Sequence, residues 1–460
     1  MRLLTLLMFP AVLAAQSLQG LWEASIDSDA LKLRMVLRLS ATRDGRLSGT
    51  FDSMDQGFTG ISISSVTVRR RAVSVRIAEI GASYAGRLNA SGTEITGTWK
   101  QGGIAAPVAF KRVLSIPEER PQTPQPPLPY DQVEISVVNS AANLRLAGTL
   151  TLPRTRGPFP AVLLIPGSGP QDRDETIMRH RPFLVMADSL ARNGIAVLRM
   201  DKRGSGRSTG NLEQANCPDF ARDAAVCVRY LEGRAEIDPR HIGLIGHSEG
   251  GIIAPMAAND SPDIAFVILL GAPAVRGDQV IAEQITQMAR LLGIPAEIQA
   301  RSRALEERFG AILRQEDKPA TARKRMRDAL KEQESGLTGS QRLAFEQMNR
   351  RRIDEALTPD ARFLMTYDPG PALRKLRCPV LALAGELDMQ VSPSQNLPAL
   401  AEALEGGGNT DYEIIKLPRL NHLFQGARTG SPSEYLGIPE TLSPQVSDLI
   451  SAWILRHTSR

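Results

Sequence analysis

The sequence predicts an α/β protein: a mostly parallel sheet covered by helices and carrying a helical cap insertion, preceded by a small all-β domain. Three observations carry this prediction. From residue 130 onward, apolar β-like runs alternate with amphipathic helical stretches, the rhythm of a sheet covered on both faces. Before it lie about a hundred residues of short strand-like runs separated by turn signals. Between them, residues 117–129 hold six prolines, in a stretch that reads Pro-Glu-Glu-Arg-Pro-Gln-Thr-Pro-Gln-Pro-Pro-Leu-Pro and suits a semi-extended linker.

At 460 residues the chain is long enough for two or three domains with a sizeable core. It begins with the features of a secretory signal peptide. Met1-Arg2 supplies a positive charge, residues 3–13 are largely apolar, and Ala14 and Ala15 offer the small residues needed for cleavage. The apolar run is too short to span a bilayer, which takes about 20 residues. Residues 1–15 are therefore read as a leader, and the protein as exported to a periplasmic or extracellular location without stable membrane insertion.

Residues 16–115 alternate in the manner of half-buried strands, as in Leu31-Lys-Leu-Arg-Met-Val-Leu-Arg-Leu39 and Val73-Ser-Val-Arg-Ile77. Turn signals at Asp44-Gly45, Gln56-Gly57 and Ser91-Gly92 divide them, predicting a barrel or sandwich of roughly eight strands. No motif assigns this domain a task; it either binds lipid or glycan or packs against the rest of the chain. Residues 116–130 form the linker and 131–460 the second domain. In the latter a hairpin is expected over 133–138 and 146–152, strands at 161–165, 195–198, 242–245, 266–270 and 379–383, and helices near 181–192, 219–231 and 444–456. About a hundred residues break the rhythm. Residues 275–372 read as a helical cap, with Ile281, Ile285, Met288, Leu291 and Leu292, then Leu305, Phe309, Ile312 and Leu313, as core-facing stripes.

Composition excludes some classes of function. The net charge of +5 is scattered and aromatic residues are 5%, so no basic, stacking surface for nucleic acid is visible. Arg69-Arg70-Arg71 and Arg350-Arg351-Arg352 read as solvated faces. There is no metal-ligand spacing, and no metal or organic cofactor is called for. Of the three cysteines, Cys217 precedes a predicted helix that holds Cys227. Ten helical residues span about 15 Å, whereas a disulfide needs Cα atoms within about 7 Å. That pairing requires Cys217 to fold back. Cys378 is expected to be a buried thiol.

The chemistry gathers around Gly246-His247-Ser248-Glu249-Gly250, which fits G-x-S-x-G between a short strand and a helix start. In that context the pattern presents a serine on a strained turn, a nucleophile elbow. A serine hydroxyl needs a base, which a carboxylate in turn orients. With an elbow nucleophile the chain order is Ser, acid, His. Of the five histidines, His180, His241 and His247 precede Ser248, and His457 lies on a polar tail. His422, in a loop after the strand Tyr412-Glu-Ile-Ile-Lys416, is the expected base. The preceding strand leads into Glu386 and Asp388; Asp388 is better placed as the acid, with Glu386 the alternative. An oxyanion hole needs two backbone N–H groups. Glu249 should give one, and the loop Pro166-Gly167-Ser168-Gly169-Pro170 the other, through Ser168 or secondarily Gly169. The Gly-rich loop of residues 201–208 lacks a phosphate-binding pattern and is read as structure bordering the site.

On these segments the chain resembles the α/β-hydrolase superfamily, and more narrowly the exported EstD-type carboxylesterases and the serine aminopeptidase-like hydrolases. The resemblance covers roughly residues 130–460 and implies Ser248, Asp388 and His422 as catalytic residues, with the Ser168 and Glu249 amides as oxyanion donors. Pro166 departs from the His that many relatives carry there. The expected activity is cleavage of small carboxylic esters through an acyl-enzyme. The alternatives are a peptidase acting on N-terminal residues or prolyl bonds, whose α-amino anchor would come from Glu297, Glu306, Glu307 or Asp317, and a binding protein on a hydrolase scaffold.

Overall fold

The computed structural model describes residues 18–28, 31–41, 47–53, 58–101, 104–114, 120–294, 296–339, 342 and 352–459. The leader of residues 1–15, part of the linker, the expected turns at 44–45 and 56–57, and Arg350-Arg351 therefore lie outside the described residues. Contacts divide the chain into two units, one holding the chain up to Arg120 with Ile177–Arg179 and Ser433–Pro439, the other holding the remainder.

In the first unit the alternating segments become nine strands: β1 (Gly20–Ser28), β2 (Leu31–Ala41), β3 (Leu47–Ser53), β4 (Phe58–Ser62), β5 (Ser65–Arg69), β6 (Ala72–Ile77), β7 (Ala82–Leu88), β8 (Glu94–Gln101) and β9 (Ile104–Val113). Every pairing is antiparallel. β1 pairs with both β2 and β9, β2 also joins β3, and β3 meets β5, so the strands close on themselves with β4 beside β3. Closure removes the free edges that would otherwise recruit other chains. The pattern of Ala72–Ile77 alternates strictly between exposed and buried, as its sequence requires. Trp22, Phe51, Tyr84, Trp99 and Phe110 fill the interior, each no more than 4% exposed. The Arg120 guanidinium donates to the carbonyls of Met178, Leu436 and Ile438, gathering the two short outlying segments of this unit.

The second unit is built on an eight-stranded sheet in the order β10-β11-β13-β12-β14-β15-β16-β17. Its strands are β10 (Tyr130–Asn139), β11 (Leu144–Pro153), β12 (Phe159–Ile165), β13 (Ala196–Met200), β14 (Ile237–His247), β15 (Phe266–Leu270), β16 (Val380–Gly385) and β17 (Tyr412–Leu417). β10 and β11 form a hairpin, β11 runs antiparallel to β13, and every pairing from β13 through β17 is parallel. Successive side chains of a strand face opposite sides. Accordingly Ala161, Leu163 and Ile165 pack into one core layer and Val162 and Leu164 into the other. The helices α1 (Pro182–Arg192) and α10 (Pro444–Thr458) cover the second face; α2 (Cys217–Glu232), α3 (Gly250–Asp260) and α9 (Pro393–Gly406) cover the first.

Between β15 and β16 the chain makes α4 (Gly277–Leu291), α5 (Ala296–Gln315), α6 (Pro319–Glu334), α7 (Pro359–Thr366) and α8 (Gly370–Lys375). Leu305, Phe309, Ile312 and Leu313 are buried with Met326 and Leu330 in a core of their own. The first stripe needs correction. Ile281 packs against that core, but the buried residues of α4 are Asp278, Val280, Ala282, Thr286 and Ala289, while Leu291 and Leu292 are 44% and 66% exposed. Leu291 shares the last turn of the helix with the buried Ala289 but lies on its uncovered side, and Leu292 is the residue after the helix.

The cysteine geometry is also corrected. Cys217 is the first residue of α2 rather than a residue before it, and Cys217, Cys227 and Cys378 are all free. Cys378 is half-buried, not fully enclosed.

Candidate active site

Ser248 sits between β14 and α3 with φ 54°, a left-handed conformation rarely tolerated outside glycine. Its amide donates to the Leu270 carbonyl at the end of β15 (2.9 Å). The turn is possible only because the chain packs without side chains around it. A Cβ on Gly250 would lie 2.1 Å from the Ile165 carbonyl oxygen.

Asp388 and His422 are both buried, in the loops after β16 and β17. His422 Nδ1 lies 2.7 Å from Asp388 Oδ2. The other carboxylate oxygen, Oδ1, accepts the amides of Gln390 and Val391, both at 2.8 Å. Gly271, next to the carbonyl that binds the Ser248 amide, adopts φ 53°; a Cβ there would come within 3.1 Å of His422 Nδ1. Ser248, Asp388 and His422 thus follow the carboxyl ends of β14, β16 and β17 in the parallel part of the sheet, with β15 between the first two. Glu386 does not join them: it accepts the Arg419 amide at 3.0 Å. His457 stacks on Trp453, away from the site.

On the other side of Ser248, Gly167 approaches so closely that a Cβ on it would be 3.3 Å from Ser248 Cβ. Its own amide donates to Glu175 Oε1 (2.7 Å). Among the described residues, the Ser168 and Glu249 amides donate to no other backbone group. Glu175 Oε1 also lies 2.8 Å from His247 Nδ1, and His247 Nε2 lies 3.0 Å from the His422 carbonyl. Burial opposes charge on His247, but the Glu175 carboxylate outweighs it and holds the imidazole above its ordinary pKa. The sequence signalled neither partner, because Glu175 comes from an irregular stretch and His247 looks like a variable position of G-x-S-x-G.

Beneath the elbow lies a second group that sequence reasoning missed. Lys202 Nζ pairs with Glu249 Oε1 (2.8 Å), contacts the Gly167 carbonyl oxygen (3.3 Å) and lies 4.0 Å above the Phe220 ring. Asp360, on α7, and Cys217 close the cluster. Cys217, Glu249 and Asp360 bring three ligand-type atoms within 4.8 Å of one another. The Lys202 ammonium already occupies the cation's place on Glu249, so this donor set suits an ion pair better than a metal. Burial and then the Glu249 carboxylate push the Asp360 carboxyl up to about 7, against the pull of Lys202. The neutral acid fits the site, since its O–H can donate to Glu249 Oε2, an atom with no other partner. The stabilising effect is complete below the unfolded value near 4 and is lost as pH rises through about 7. Asp360→Asn keeps a neutral donor and removes the titration. Its melting temperature should gain on that of the wild type between pH 5 and pH 8; parallel curves in thermal melts would refute this.

The loop of residues 201–208 is held from within. Asp201 accepts the Arg207 amide and the Arg173 side chain, and Ser208 Oγ donates to the Asp201 carbonyl. Burial raises the Asp201 carboxyl, yet these donors hold it below its ordinary range. A cleft of about 780 Å³ opens nearby among α4, the loop after β16 and the start of α9. Leu291, Met389 and Leu397 give it apolar walls, and Asp388 reaches it.

A parallel sheet with a serine elbow at the end of a central strand, and a His–Asp pair on the loops of the following strands, defines an α/β-hydrolase. The model of the family described as "Serine aminopeptidase, S33" matches residues 182–426, more than half of the chain, and the protein belongs to this hydrolase family. Among curated proteins it is similar to Esterase EstD of Thermotoga maritima, 26% identical over 360 residues, covering 78% of this chain and 76% of that one. Similar solved structures include an esterase of Pyrococcus furiosus (14% identity, 74% of this chain and 97% of that one, TM-score 0.43). Another is Est1E of Butyrivibrio proteoclasticus with bound ferulic acid (16% identity, 71% and 100%, TM-score 0.43).

Proposed function

We propose that the protein is a serine carboxylesterase acting on small esters through an acyl-enzyme. The observation that carries the reading is the buried 2.7 Å contact between Asp388 and His422 Nδ1 beside an elbow serine. In this reading Asp388 holds the imidazole with its proton on Nδ1, leaving Nε2 to take the Ser248 proton as Oγ attacks the ester carbonyl. The tetrahedral oxyanion meets the Ser168 and Glu249 N–H groups; collapse expels the alcohol, which takes the proton from His422. Water then attacks the acyl-enzyme by the same route. The similarity to an esterase supports the substrate class. Helices α4–α8 act as a cap over this site, a role consistent with their place between β15 and β16.

The family description favours a second reading, hydrolysis of an aminoacyl amide. A free α-amino group would need an unpaired carboxylate. Glu297 and Glu307 pair with Arg301 and Arg303 one turn away, Glu306 is buried against Arg352, and Asp317 projects into solvent. None is a ready anchor, and the ester reading is preferred.

A fluorophosphonate probe is expected to label Ser248, and p-nitrophenyl acetate or butyrate to be turned over much faster than aminoacyl-p-nitroanilides. The intact mass of exported, labelled protein would also report the proposed loss of 14 or 15 leader residues. An unlabelled Ser248 or a preference for the amides would overturn the ester assignment.

A further inference from the structure

We propose that Lys202 is a positioning residue that sets both donors of the oxyanion hole from behind. The inference rests on the esterase reading above and gives it a residue that the Ser–His–Asp set lacks. Lys202 is 7% exposed and follows β13 in the Gly-rich loop. Its ammonium reaches two acceptors, the Gly167 carbonyl oxygen at 3.3 Å and Glu249 Oε1 at 2.8 Å.

Each acceptor belongs to one half of the hole. The Gly167 carbonyl and the Ser168 N–H are the two ends of one peptide group, and in a planar trans peptide they point in opposite directions. A cation that holds the oxygen on the inner side turns the N–H outward, toward Ser248. It also draws electron density from the amide nitrogen and makes the N–H a stronger donor. Glu175 fixes the preceding peptide by taking the Gly167 amide (2.7 Å), so Gly167 is held at both ends. The second acceptor is the side chain of Glu249, the residue whose own N–H is the other donor. Its carboxylate is buried, and Lys202 is the charged group that holds its Oε1, with the Asp360 carboxyl beside it. The Phe220 ring, 4.0 Å from Nζ, sets the depth of the ammonium. One buried charge thus links two chain segments that must present their amides to a single oxygen atom. Preorganised donors of this kind gain their effect in the transition state rather than in substrate binding.

The test compares Lys202→Met with Lys202→Met/Glu249→Gln, which avoids leaving an unpaired carboxylate in the interior. Removing a whole donor costs about 10²–10³ in kcat. Loosening both should lower kcat on p-nitrophenyl butyrate by roughly 10- to 100-fold with KM changed little. Affinity for a boronic acid or trifluoromethyl ketone, which mimic the tetrahedral oxyanion, should fall in step with kcat. A merely structural role would lower the melting temperature and the active fraction without moving the ratio of analogue affinity to KM. The inference is overturned if the folded double variant keeps kcat within twofold, or if KM rises while analogue affinity stands. Fluorophosphonate labelling separates the two failures. A wild type unlabelled at Ser248 removes the esterase reading itself, whereas a labelled wild type with a fully active Lys202 variant removes only this proposal.

Discussion

Ser248→Ala is expected to lower kcat on a short-chain ester by a factor on the order of a million, leaving the residual rate to binding and the oxyanion hole alone. The loss should be confined to kcat, because no described partner depends on the side chain for folding. The backbone at 248 makes the control informative. At φ 54° a Cβ is under strain, so Ser248→Ala keeps the strain and Ser248→Gly relieves it, at a backbone cost of order 1 kcal/mol or more in such regions. The glycine variant should therefore melt above both the alanine variant and the wild type while being equally inactive. That result would mark the elbow as a place where stability is given up to expose a hydroxyl. Turnover above a hundredth of the wild-type rate in Ser248→Ala would exclude Ser248 as nucleophile; equal melting of the two variants would exclude strain at the turn.

The parts of this site that could be read from sequence are those fixed by local pattern or chain order. The elbow is legible because a strand, two flanking glycines and a helix start must be contiguous. Asp388 and His422 follow from counting which carboxylates and histidines come later in the chain. The strands of the central sheet are legible for a related reason: residues such as Val162 and Leu163 face different core layers, so the whole run is apolar. Glu175, Lys202 and Asp360 are illegible because their meaning depends on distance through space. Lys202 and Glu249 are 47 residues apart, and a lysine in a Gly-rich loop carries no local sign that its ammonium is buried. Leu291 and Leu292 show the opposite failure. Their helical spacing is right, but spacing does not reveal which face of the helix the rest of the fold covers.

Asp388→Asn should cost about 10⁴ in kcat with little change in stability, for a reason specific to this loop. In the native site Oδ1 accepts two amides, from Gln390 and Val391, and Oδ2 faces His422 Nδ1. An asparagine has one carbonyl oxygen and one NH₂ group. The two amides can only donate, so they hold the carbonyl oxygen at the Oδ1 position and leave the NH₂ facing His422. An NH₂ cannot accept from Nδ1–H, so the imidazole must shift its proton to Nε2, the nitrogen that in the proposed mechanism takes the proton from Ser248. The ring stays in place as the wrong tautomer. Lowered kcat with a melting temperature near that of the wild type, and NMR showing the His422 proton on Nε2 instead of Nδ1, would together establish this. An Asp388→Asn variant within tenfold of the wild-type rate would mean that Asp388 orients the ring only by packing, and that the carboxylate charge contributes little to the reaction.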